Sequence, residues 1–120
     1  MTTRFRFLLA TVLLHACSSA PKTTVHVQGT VTSIGYAAPV KAAEVTVQWP
    51  FGLGSGTSML KTDSAGHFVA ERKVRTEAPD CEGLVITVHA EGFASAYHQS
   101  HERCDKGIMT ADFKLFPIAR

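Results

Sequence analysis

Apolar and polar residues alternate along most of the chain from Thr24 onward, and this alternation is the strongest constraint on the fold. Val25 and Val27 alternate with polar residues near the start, and Leu84 and Ile86 begin the clearest example of the pattern. A period of two residues turns one side of an extended strand towards a core and the other towards water. From Thr24 onward no stretch shows a convincing period of 3.6 residues. The sequence therefore predicts an all-β protein.

Turn signals divide this region into seven predicted strands. Asp63 and Gly66 fit the first and fourth positions of a type I turn, with the glycine at positive φ. Residues 76–82, which include Pro79 and several acids, are predicted to form a surface loop. The strands are predicted near residues 25–31, 45–49, 58–62, 67–74, 84–90, 93–99 and 108–115. Seven short strands at this spacing indicate a β-sandwich.

The first 16 residues have the features of an export signal. Arg4 and Arg6 precede an apolar run over residues 7–14, and Ala16 offers a small residue at a cleavage point. A membrane-spanning helix needs roughly 18 or more apolar residues, which this run does not reach. We therefore expect residues 1–16 to be removed, and we expect no transmembrane helix in the mature protein.

Residues 14–17, Leu-His-Ala-Cys, resemble the lipobox of bacterial lipoproteins, in which the cysteine is diacylated and becomes the new N-terminus. The resemblance implies lipidation at Cys17, although His15 departs from the usual residue type. Cleavage after Ala20 by an ordinary signal peptidase is the alternative. Because Ser18 is not the aspartate of an inner-membrane retention signal, the outer membrane is the expected location, on either its periplasmic or its exposed side. Residues 17–23 would then be a short linker to a sandwich over residues 24–117.

The net charge gives no reason to expect a nucleic-acid partner. The 12 basic residues fall to 10 once Arg4 and Arg6 are set aside, which equals the 10 acidic residues. Nucleic-acid binding normally requires a basic surface that neutralises phosphates. The expected partners are the membrane, through the lipid anchor, and another envelope component, either a protein or a glycan.

The three cysteines divide naturally into one lipid site and one pair. Lipidation of Cys17 leaves Cys81 and Cys104, an even pair in a compartment where disulfides persist. If residues 91–92 form a two-residue hairpin turn, Cys81 faces position 102, close to Cys104. A disulfide between them would contribute about 3 kcal/mol in the chain-entropy model. Two free buried thiols are the alternative.

Five segments in order resemble a known family. They are Val-Gln-Gly-Thr-Val at 27–31, Ala-Pro-Val-Lys-Ala-Ala-Glu-Val-Thr-Val at 38–47, Thr-Asp-Ser-Ala-Gly-His-Phe at 62–68, Val-His-Ala-Glu-Gly-Phe at 88–93 and Asp-Phe-Lys-Leu at 112–115. Together they resemble the carboxypeptidase regulatory-like domain, a transthyretin-like β-sandwich, over essentially the whole mature chain. The resemblance implies a seven-stranded Ig-like or transthyretin-like sandwich that serves as a non-catalytic accessory module. The family occurs beside peptidases, at the periplasmic ends of outer-membrane receptors, and in secreted or lipid-anchored proteins.

No pattern in the sequence assembles an active site. His98 and His101 precede Cys104, but we interpret them as solvated loop histidines because Cys104 is better used by Cys81. The glycines at 52–56 match neither a phosphate loop nor a nucleophile elbow, and they indicate a flexible connection. We therefore predict no enzymatic activity, no metal and no cofactor. The alternative is a secreted small hydrolase or a metal-binding protein of transthyretin-like fold.

The connection over residues 49–58 is longer than the common one in the resembled family, and it is rich in apolar and aromatic side chains. Aromatic residues are favoured at binding hot spots. Trp49 could alternatively cap the core. The candidate interaction loop consists of Trp49, Phe51, Leu53 and Met59.

Overall fold

The computed structural model describes residues 23–118, which form two four-stranded β-sheets packed face to face. The strands are β1 Thr23–Ser33, β2 Glu44–Gln48, β3 Thr57–Lys61, β4 His67–Val74, β5 Val85–His89, β6 Ala96–Gln99, β7 Ile108–Thr110 and β8 Phe113–Leu115. The first sheet has the order β4-β1-β7, with β8 also paired to β1, and the second has the order β3-β2-β5-β6. The all-β sandwich predicted from the alternation is confirmed.

The core between the sheets is built from the apolar side chains that alternate along the strands. Val25 and Val27 of β1 are fully buried, as are Val45 of β2 and Ile86 and Val88 of β5. Small β-branched residues dominate because they pack well on a pleated surface. In β1, β2 and β5 the predicted dry face is therefore the face that lines this core.

The last predicted strand is interrupted, so the sandwich has eight strands where seven were predicted. β7 and β8 both run parallel to β1. Between them, Asp112 Oδ1 accepts hydrogen bonds from the backbone N–H and the Oγ1 of Thr30, both at 3.0 Å. This carboxylate occupies a place in the ladder that a backbone carbonyl would otherwise take, and the strand breaks there. The alternate residues still face the core as predicted, namely Met109, Ala111, Phe113 and Leu115.

The hairpin between β5 and β6 differs by one residue from the predicted register. Val85 pairs with Gln99 and Val88 with Ala96, so the connection is longer than a two-residue turn. Phe93 is not part of β6. Its N–H donates to the carbonyl of Ala90 at 3.1 Å, and the residue forms an isolated bridge with Pro117. The contact with the far end of the chain therefore lengthens this turn.

Cys81 and Cys104 form a disulfide, as predicted. Their Cα atoms lie 5.1 Å apart, and the bond joins the loop before β5 to the loop after β6. Both sulfur-bearing residues are buried. The bond thus fixes the end of the β5–β6 hairpin at which Gly83 and Leu84 hydrogen-bond to Ser100.

The predicted signal peptide, residues 1–16, and the predicted lipidation site, Cys17, lie outside the described residues. Among residues 23–118, no helix has both the length and the apolar character that a membrane crossing requires. The lipid anchor stays a prediction from the sequence.

Candidate functional site

The segment between β2 and β3 folds around the side chain of Trp49. The indole is buried, and its Nε1 donates a hydrogen bond to Ser58 Oγ at 2.8 Å. The backbone N–H of Trp49 donates to the carbonyl of Gly56 at 2.9 Å. Trp49 therefore caps the core, which was the alternative weighed for it, and it also closes the base of this segment.

Arg72 of β4 locks the same segment from the other sheet. Its guanidinium lies 4.8 Å from the centre of the Trp49 ring, a distance at which a cation is attracted to an aromatic face. Its Nη1 also donates hydrogen bonds to the carbonyl oxygens of Leu53 and Ser55. Sequence analysis did not identify Arg72. The available signal was its position, since Arg72 lies between Ala70 and Val74 at a spacing of two residues and therefore shares their inward face of β4.

A single 3-10 turn, Phe51–Leu53, forms the tip of the segment and separates its two large apolar side chains. Leu53 points into the core, whereas Phe51 is 92% exposed. The backbone then passes through three consecutive residues of positive φ, of which Gly54 at 94° and Gly56 at 88° explain the glycines. The buried Leu53 therefore anchors the turn to the core, and Phe51 is left exposed to solvent.

Met59 belongs to a different surface, the outer side of the β3-β2-β5-β6 sheet. The strand registers place Met59 opposite Thr46, Thr46 opposite Thr87, and Thr87 opposite Tyr97. Met59 is 75% exposed and Tyr97 is 73% exposed. The four predicted residues of the loop are thus not one surface: Trp49 and Leu53 are internal supports, while Phe51 and Met59 are exposed on separate sides.

A second row of uncharged side chains runs beside the first on this sheet. It consists of Thr57, Gln48, Val85 and Gln99. We call these two rows the open face; its eight members are Met59, Thr46, Thr87, Tyr97, Thr57, Gln48, Val85 and Gln99. Hydroxyl and amide groups both donate and accept hydrogen bonds. The open face therefore offers hydrogen bonds and one aromatic ring, with no formal charge.

The histidines noted in the sequence line a cleft between the edge strands β6 and β7. The cleft has a volume of about 570 Å³, and His98 and His101 are among its lining residues. No three His, Cys, Asp or Glu side chains within residues 23–118 are grouped so as to hold a metal ion. Cys104, the third member of the sequence cluster, is bonded to Cys81.

No family model matches the chain, and no curated protein matches it. The specific resemblance to the carboxypeptidase regulatory-like domain therefore stays a prediction.

Several solved structures do match. Chlorocatechol 1,2-dioxygenase from Pseudomonas putida is 18% identical with a TM-score of 0.58, and the match covers 78% of this chain and 60% of that one. For 3-chlorocatechol 1,2-dioxygenase from Rhodococcus opacus 1CP the identity is 12%, the TM-score 0.61 and the coverage 85% and 62%. The dioxygenase domain of a dioxygenase carbohydrate-binding protein fusion from Streptomyces sp. SirexAA-E is 16% identical, with a TM-score of 0.57 and 84% coverage of both chains.

This chain spans about 60% of the length of the two chlorocatechol dioxygenases. Fold similarity at such low identity transfers no activity, because unrelated functions recur on one sandwich architecture. What these structures have in common with residues 23–118 is an all-β sandwich domain.

Proposed function

We propose that this protein is a non-catalytic, lipid-anchored module of the cell envelope whose β-sandwich, of the carboxypeptidase regulatory-like type, binds a neutral glycan. The observation that carries the proposal is the open face. It is the outer surface of a sheet, where Thr46 and Thr87 lie in register with the exposed Tyr97 and two glutamines lie in the adjacent row.

The chemistry of the open face favours a sugar chain over a charged ligand. Sugar rings present hydroxyl groups that exchange hydrogen bonds with amides and hydroxyls, and their apolar faces pack on aromatic rings. Titratable side chains begin only at the next row, where the strand registers place Glu44 opposite Lys61 and His89. A neutral ligand lying across Thr46 and Thr87 would leave no buried charge unpaired, which is the main penalty in such contacts.

The cell-envelope location is supported by two independent features. The disulfide between Cys81 and Cys104 fits an oxidising compartment, where such bonds form and persist. The leader and Cys17 have the pattern of a lipoprotein signal. An exported, anchored domain with an open polar face suits the capture of an extracellular or cell-wall polysaccharide.

Glycan binding is tested with the full chain, purified from membranes in detergent and applied to an array of neutral polysaccharides. We expect Tyr97→Ala to weaken binding roughly thirtyfold, as truncation of an aromatic hot spot costs about 2 kcal/mol. Tyr36→Ala is the matched control, because Tyr36 is 90% exposed and lies outside the open face. Equal weakening of binding by Tyr97→Ala and Tyr36→Ala would contradict the proposed ligand. So would a chain that binds a protein partner and none of the glycans.

The anchor is tested by Cys17→Ser, which removes the thiol that would carry the acyl chains. We expect the protein to move from the membrane fraction to the soluble fraction, and the acyl mass to disappear from the N-terminal peptide. Ser18→Ala is the matched control, since it alters the neighbouring residue and keeps the thiol. Wild-type protein that is soluble with an unmodified N-terminus would refute lipidation.

A further inference from the structure

The residue at which the chain enters the sandwich lies at the same end as the exposed Phe51. Thr23, the first residue of β1, pairs with Val74, the last residue of β4. Gly52 and Leu53 of the 3-10 turn line a depression of about 540 Å³ together with Lys73, Val74, Arg75 and Thr76. We call this end of the molecule the entry pole, defined by Thr23, the turn Phe51–Leu53 and residues 73–76.

The entry pole combines an aromatic side chain with two cations. Lys73 and Arg75 are exposed and line the depression, whereas no carboxylate does. The acids nearest to these cations in sequence are Glu71 and Glu77, and neither lines the depression. Aromatic rings favour the boundary between lipid headgroups and acyl chains. Lysine and arginine are attracted to anionic phospholipids.

The turn that presents Phe51 is already ordered in the free protein. Arg72 donates to the carbonyl oxygens of Leu53 and Ser55 and lies over the Trp49 ring. Ordering of the backbone is the usual free-energy cost of binding through a loop. Insertion of Phe51 would therefore not require that ordering.

The length of the predicted tether keeps this pole close to a membrane. Cys17 precedes Thr23 by six residues, including Lys22, and six extended residues reach about 20 Å. An acyl-anchored chain would hold the entry pole at high effective concentration beside the bilayer, so even a weak contact would be populated.

We propose that the entry pole rests on the membrane surface, with Phe51 inserted at the headgroup boundary and Lys73 and Arg75 on the phosphates of anionic phospholipids. This inference rests on the proposed lipid anchor at Cys17. The strands run from the entry pole to the opposite end of the sandwich. In the docked molecule the open face therefore lies on the flank of the sandwich, in contact with the aqueous phase.

The test uses the full, acylated chain carrying Phe51→Trp, reconstituted in equimolar phosphatidylethanolamine and phosphatidylglycerol vesicles with brominated acyl chains. The control is Tyr36→Trp, which places an exposed indole in the connection that leaves the far end of β1. Both variants keep Trp49 as the same background. We expect bromine to quench the emission of the Phe51→Trp protein about twofold or more beyond that of the control, because only its added indole would reach the acyl boundary.

The charge contribution is tested in the same vesicles. Lys73→Gln combined with Arg75→Gln should reduce the quenching of the Phe51→Trp protein towards the control value. Replacing phosphatidylglycerol with phosphatidylcholine should do the same without any mutation. Unchanged quenching in both experiments would overturn the role of the two cations.

Three outcomes distinguish a failure of this inference from a failure of the anchor on which it rests. Vesicle-bound, acylated protein in which both added indoles are equally unquenched overturns the docked pole and leaves the anchor standing. If neither aqueous iodide nor bromine quenches an indole at position 51, the indole is covered by protein and not by lipid. That result also overturns the docked pole. Protein that lacks acyl chains and does not bind vesicles refutes the anchor and this inference together.

Discussion

The hydroxyl of Thr62 forms hydrogen bonds with two backbone groups for which residues 23–118 provide no other partner. Thr62 is only 5% exposed. Its Oγ1 donates to the carbonyl of Val40 at 2.6 Å and accepts from the N–H of Ala43 at 2.9 Å. One side chain thus ties the end of β3 to the segment that leads into β2.

We expect Thr62→Val to lower the free energy of unfolding by about 1–3 kcal/mol, because it preserves shape and leaves a buried donor and acceptor unpaired. Thr62→Ser keeps the hydroxyl and loses only a methyl group, at about 0.8 kcal/mol. Urea unfolding of both variants measures the difference. Equal losses would mean that packing, not hydrogen bonding, explains the residue.

At the scale of elements, the turn between β3 and β4 is organised by Asp63. Its Oδ1 accepts hydrogen bonds from the backbone N–H groups of Ala65 and His67, each at 2.9 Å. The bond from His67 is the main reason that the pKa of Asp63 lies below its ordinary value of 3.8. Gly66 completes the turn at φ 77°, where a Cβ would collide with the carbonyl of Val31.

This lowered pKa makes the contribution of the turn depend on pH. A depressed pKa in the folded state means that stabilisation is present above 3.8 and is lost as pH falls through the folded value. Asp63→Asn should therefore destabilise the protein near neutral pH, and the deficit should shrink in acid. Urea midpoints of wild type and variant across this range give the measurement. A deficit that does not change with pH would contradict the linkage.

Local signals in the sequence were sufficient for some elements and insufficient for others. Strand β4, His67–Val74, has the predicted bounds because the Asp63 turn marks its start. The β5–β6 register was wrong because it depends on the bridge from Phe93 to Pro117. The break between β7 and β8 arises from Asp112 contacting Thr30, at a separation of 82 residues. Such long-range contacts leave no trace in a local pattern.

The same limit applies to the candidate site. The sequence identified an aromatic segment, and the structure separates Phe51 and Met59 as exposed from Trp49 and Leu53 as buried. That separation depends on Arg72, which comes from the other sheet and reaches across to the Trp49 ring. Pairing of strands was also needed to bring Tyr97 into line with Met59, since neither residue signals the other along the chain.

At the scale of the whole molecule, the disulfide supplements a core made largely of small side chains. Cys81 and Cys104 are 23 residues apart, and a small sandwich has limited apolar surface to bury. We expect the double change Cys81→Ala and Cys104→Ala to lower the free energy of unfolding by about 3 kcal/mol. Urea denaturation measures it, with wild type in a reducing agent as the control. A double variant as stable as the oxidised wild type would show that the bond is dispensable.

The position of β1 sets the order in which the sheets can close. β1 is the first strand of the sandwich, yet it pairs with β7 and β8, which are the last two. His26 lies opposite Ile108, and Val31 lies opposite Phe113. Until β7 and β8 are available, the first sheet consists of β1 and β4 alone, and a two-stranded ribbon is only marginally stable in water. Such distant pairing gives a high contact order and slow folding. A chain exported from its N-terminus, as the leader predicts, would therefore complete its first sheet only after almost its last strand has crossed the membrane.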